Sequence, residues 1–130
     1  MNFPYYVINS AGNGFGEGIM AQVSLVGSTN TPTEYSLSQN FPNPFNLSTY
    51  IKYALPSQSE VKISIYNILG QKVVELFNGN QPAGYHHLTW KSQEGSGTEV
   101  ASGVYICILE AKSLDNGSRF VKHNKMVLMK

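Results

Sequence analysis

The chain has 130 residues, enough for one domain with its own core and a short appendage. A formal net charge of +1 supplies no field that would gather nucleic acid or an acidic substrate. A lone cysteine, Cys107, excludes a disulfide within the chain, and no apolar run approaches membrane-spanning length.

Aromatic and β-branched residues occur in short runs punctuated by Gly, Asn, Ser and Pro, and no window holds a helical period for three turns. The pattern predicts an all-β chain. The opening Met1-Asn2-Phe3-Pro4 lacks the basic-then-apolar build of a signal peptide, so the expectation is a cytosolic protein or the C-terminal piece of a longer exported one.

In chain order, residues 5–8 and 19–26 read as two strands joined by a glycine-rich loop. Its glycines recur every second residue, which misses dinucleotide-binding spacing, and a flexible hairpin loop is the expectation. Residues 27–34 are polar and contain Pro32, which marks a linker. Past it, Leu37 lies in a short extended piece. Asn40, Phe41, Pro42, Asn43, Pro44, Phe45 and Asn46 then form a corner stiffened by two prolines, with both Phe rings expected against the core.

Thr49, Ile51, Tyr53 and Leu55 share one face of the next strand. Residues 61–77 form the centre of the pattern. Val61, Ile63 and Ile65 alternate with Lys62 and Ser64, Asn67 to Gly70 supply a turn, and Val73 and Val74 begin a return strand that Asn78-Gly79 should end. After a turn through Pro82, Ala83 and Gly84, residues His86, Leu88 and Trp90 point one way. Residues 104–111 are apolar on both faces, with Ile106 and Ile108 outward, as in a strand central to a sheet. Asp115-Asn116-Gly117-Ser118 signals a turn into a last, lysine-rich strand that reads as a guarded sheet edge.

Seven short, evenly spaced strands predict an immunoglobulin-like antiparallel β-sandwich, preceded by a short β-hairpin or linker remnant. The expected shared core is Ile51, Tyr53, Ile63, Ile65, Leu69, Leu88, Trp90, Tyr105 and Leu109.

No cluster predicts catalysis, metal binding or a cofactor. His86 and His87 are neighbours on a strand and face opposite ways. Cys107 alternates with Tyr105 and Leu109 and reads as a buried, inert thiol. Asn46-Leu47-Ser48 and Asn116-Gly117-Ser118 fit the N-glycosylation pattern but read as turn chemistry.

From Tyr35 onward the sequence resembles the C-terminal type A sorting domain of the Bacteroidetes-type type IX secretion system. The resemblance rests on Asn40, Pro42, Asn43, Pro44, Phe45 and Asn46, then Gly70, Pro82, Gly84 and Trp90, then Ser102, Gly103 and Tyr105. It ends on Lys125, Met126, Val127, Leu128, Met129 and Lys130. Leu47 and Asn124 depart from it, standing where that family carries proline and a basic residue.

The resemblance implies that residues 35–130 are a non-catalytic secretion signal, and residues 1–34 the remnant of an upstream cargo domain plus linker. It implies an outer-membrane translocon that reads residues 125–130, and a sortase-like protease that cuts near Gly27, Ser28, Thr29, Asn30 and Thr31. A fused N-terminal cargo is implied, with passage through the periplasm of a Gram-negative cell and then secretion or attachment at the cell surface. Nucleic acid is not expected as a partner, and self-association stays open. Two alternatives stand beside this reading. One is a surface-fibre or adhesin subunit in which residues 19–26 add to a neighbour's sheet; the other is a carbohydrate-binding accessory domain using Tyr85 or Trp90.

Overall fold

A computed structural model describes residues 31–130. The strands expected at residues 5–8 and 19–26, and the loop between them, lie outside the described residues. Residues Pro32–Lys130 form one compact unit. Its strands are β1 (Ser36–Leu37), β2 (Thr49–Leu55), β3 (Ser59–Asn67), β4 (Lys72–Gln81), β5 (Gly84–Trp90), β6 (Gly103–Ser113) and β7 (Arg119–Leu128). They build a three-stranded sheet in the order β1-β2-β5 and a four-stranded sheet in the order β4-β3-β6-β7. All strand pairs are antiparallel. The immunoglobulin-like sandwich expected from the spacing is the observed fold.

Period-two alternation decides what fills it. In β2, Thr49, Ile51, Tyr53 and Leu55 are buried while Tyr50 and Lys52 are exposed. In β3, Val61, Ile63 and Ile65 turn inward and meet Ala111, Leu109 and Cys107 of β6 across the register. Each such aliphatic side chain removed from water contributes roughly 1.5–3 kcal/mol. As its doubly apolar sequence suggests, β6 is central, lying between β3 and β7.

The β3–β4 turn follows from its residues. Asn67 Oδ1 accepts from the Leu69 and Gln71 amides at 2.9 and 3.0 Å, and Gly70 takes a φ of 81° that a side chain would strain.

Four expectations need correction. Leu69 is 78 % exposed rather than in the core, because it belongs to that turn, where the alternation has already ended. Leu88 is only half-buried, packed at the margin of the core. Phe41 is 74 % exposed while Phe45 is buried, because Phe41 pairs with the outward-facing Tyr50. Finally, Asn78-Gly79 does not end the return strand. Asn78 pairs with Lys62 and Gly79 with Val61, and two register shifts let β4 follow β3 to Gln81. Long-range pairing overrides the local turn propensity there.

Candidate functional site

The proline corner is held from within. Asn40 is buried; its amide donates to Pro42 O at 3.1 Å and Thr49 Oγ1 at 2.9 Å, and Thr49 Oγ1 donates to the same Pro42 carbonyl at 2.8 Å. The peptide bonds preceding Pro42 and Pro44 are both cis. Phe45 then enters the core against Trp90, with ring centroids 5.7 Å apart, and Trp90 meets Tyr105 edge-on at 5.3 Å. Both polar tips are satisfied: Trp90 Nε1 donates to Gln93 O at 2.8 Å and Tyr105 Oη to Ala101 O at 2.6 Å. The second bond is a tyrosine corner near the start of β6. Asn46 is exposed beyond the corner. Pro82 and Gly84 carry the chain from one sheet to the other, and Gly103 opens β6 at a φ of 154°.

Of the residues expected to be read at the end of the chain, Lys125 to Leu128 complete the edge strand β7, and Met129 and Lys130 follow it. Met126 and Leu128 are core residues, Val127 is half-buried, and Lys125 and Met129 are exposed. Their strand edge is already occupied. Phe45 N donates to Val127 O at 2.9 Å, Met129 N to Phe45 O at 2.8 Å, and Val127 N to Asn43 Oδ1 at 2.9 Å. Gln39 Nε2 donates to Lys125 O at 2.8 Å. Lys130 N donates to Ser102 Oγ at 3.0 Å, and its ammonium sits 3.3 Å from Glu99. These bonds tie the main chain of residues 125–130 to the rest of the domain. Of the expected cleavage region, Thr31 is exposed, and Gly27, Ser28, Thr29 and Asn30 lie outside the described residues.

Cys107, His86 and Tyr53 are held within the fold. Cys107 is buried, and burial pushes its thiol up to about 12, which keeps it protonated. His86 stacks on Tyr53 at 5.3 Å and shares a 2.9 Å hydrogen bond with Pro82 O. Burial raises the Tyr53 hydroxyl, which donates to Gln81 Oε1. Among the described residues, no group of three or more His, Cys, Asp or Glu could hold a metal ion. His86 and His87 face opposite sides, as their adjacency requires.

The exposed aromatic side chains gather elsewhere, on the outer face of the three-stranded sheet. Phe41 and Tyr50 exchange backbone hydrogen bonds of 3.0 and 2.8 Å, which puts their side chains on one face. Tyr50 pairs in turn with Thr89, Lys52 with His87, and Ala54 with Tyr85. Tyr50 is 53 % exposed and Tyr85 69 %. The sequence reading missed this face, although the alternation that assigned Thr49, Ile51 and Tyr53 inward assigns Tyr50 and Lys52 outward.

Comparisons with known proteins bear on this domain. Among solved structures, the chain is similar to FLGD from P. aeruginosa, with 18 % identity, a TM-score of 0.51, and coverage of 77 % of this chain and 78 % of that one. PorZ, a surface component of the type-IX secretion system of Porphyromonas gingivalis, matches at 17 % identity and a TM-score of 0.42 over 74 % of this chain and 11 % of its own. That likeness is too slight to carry an argument. No curated protein matches. The family model of the FlgD Ig-like domain matches residues 46–115, more than half of the chain.

This match overturns the resemblance to the type A sorting domain. With it go the secretion-signal function and the translocon and sortase-like protease as partners. The surface-fibre and carbohydrate-binding alternatives gain no support from it either. Residues 46–115 span the sandwich from the end of the proline corner through β6. The chain belongs to the FlgD Ig-like domain family.

Proposed function

We propose that the domain is a non-catalytic scaffold module that binds and positions another protein. The observation that carries this reading is where the sandwich spends its side chains. Cys107 is buried, the His86 ring is stacked and bonded, and Tyr53, Trp90 and Tyr105 direct their polar tips inward to bonded partners. Large aromatic side chains are left on an open sheet face instead. A frame of this kind offers shape and surface, the currency of protein recognition. Family membership supplies the frame, and the role is argued from the face that the frame presents.

The test is photo-crosslinking in the source cell with the full chain. A discrete, stoichiometric protein partner, competed away by excess unlabelled chain, is the expected result. Turnover of a substrate by the purified chain, lost on single substitution of an exposed polar residue, would overturn the reading.

A further inference from the structure

The two outer faces of the sandwich differ in charge. On the four-stranded sheet, Glu60 pairs with Lys112 and Lys62 with Glu110, so opposite charges face each other across the register. The three-stranded sheet has no such balance. Its outward rows are Phe41–Tyr50–Thr89, Lys52–His87 and Ala54–Tyr85, with no carboxylate among them. Among the described residues Lys52 has no acidic partner. The rows lie about 7 Å apart along the strands and the strands about 5 Å apart, which places a cation between two aromatic rows. A depression of about 350 Å³ opens beside Ser36, Lys52, Tyr85 and His87.

Resting on the scaffold reading above, we infer that this face docks a partner protein through a segment in which carboxylates alternate with apolar side chains. Tyrosine and phenylalanine supply contact area at low entropic cost, as binding hot spots do. Lys52 at their centre selects the sign of the partner's charge. A second copy of the chain fits poorly. Two-fold pairing of this face would bring Lys52 toward its own copy, with no carboxylate to answer it. Nucleic acid fits poorly too, since one lysine cannot offset a run of phosphates.

The test uses the isotope-labelled full chain and two synthetic peptides of equal length, one alternating Glu with Leu and Phe, the other alternating Lys with the same apolar residues. The acidic peptide should shift amide resonances of Tyr50, Lys52, Tyr85 and His87, and the basic peptide should not. Lys52→Glu should weaken the acidic peptide by about tenfold and admit the basic one. Tyr50→Ser should weaken the acidic peptide, with its thermal melt confirming an intact fold. Equal response to the two peptides, or indifference to Lys52→Glu, would overturn the inference. So would no response to either peptide. If a crosslinked partner is recovered and Tyr50→Ser and Lys52→Glu leave its capture intact, the face is wrong and the scaffold reading survives. If no partner is recovered under any condition, the scaffold reading itself fails.

Discussion

Asn124 on the last strand donates its side-chain amide to the Ser38 carbonyl at 3.0 Å, and more weakly to that of Leu37 at 3.3 Å. It thereby ties the four-stranded sheet to the edge of the three-stranded one. In the sequence the same residue looked like a departure, an asparagine where a basic residue was expected. Asn124→Ala leaves those carbonyls without a donor and should cost about 1 kcal/mol, read as a lower urea midpoint at unchanged slope. An unchanged midpoint would show that water replaces the amide at no cost.

Two leucine- or isoleucine-sized residues of the β3–β4 hairpin should behave oppositely. Ile63, fully buried beside Leu109 of β6, should lose roughly 2–5 kcal/mol on replacement by Ala. Leu69, exposed in the turn, should change stability by less than about 0.5 kcal/mol as Leu69→Ser. Parallel denaturation curves decide it, and equal losses would mean that the turn packs against the core.

Ser64 lies on the outward side of β3, yet it is buried, and its hydroxyl has no hydrogen-bond partner. An orphaned buried hydroxyl costs free energy without return. Ser64→Ala should therefore be neutral or stabilising by up to about 1 kcal/mol. A marked drop in melting temperature would reveal a bonded water or an unrecognised contact.

Cys107 gives a prediction in pH. Its folded thiol is raised from 9.0 to about 12 by burial, so between those values an unfolded chain ionises while the folded one holds its proton. Stability should be unaffected below about pH 9 and fall as pH rises toward 12. Cys107→Ala should flatten that part of the profile, leaving the smaller slope of the buried tyrosines. At pH 8 a thiol reagent should label the wild type only in denaturant. Rapid labelling of the native chain would contradict the buried position.

The strands were legible because each is a clean alternation bounded by turn residues. Ile51, Tyr53, Ile63, Ile65, Trp90, Tyr105 and Leu109 are core residues, as their alternation implies. What escaped was long-range. Nothing near Asn78-Gly79 says that Val61 and Lys62 will pair with it, and nothing near Phe41 says that its neighbour is the outward Tyr50. The corner and the terminal run were readable as motifs but not as partners. Their residues are fixed by bonds to each other across more than eighty positions, as between Asn43 and Val127, and a motif read alone suggested an address rather than a clasp.

That clasp sets an order of events. As the chain is synthesised, Phe45 emerges early and then has no partner for its backbone groups until β7 follows. Met126 and Leu128 complete the core only at that moment. The sandwich therefore cannot close progressively from its first strand. It stays open until its seventh arrives, while anything encoded ahead of it has already had time to fold.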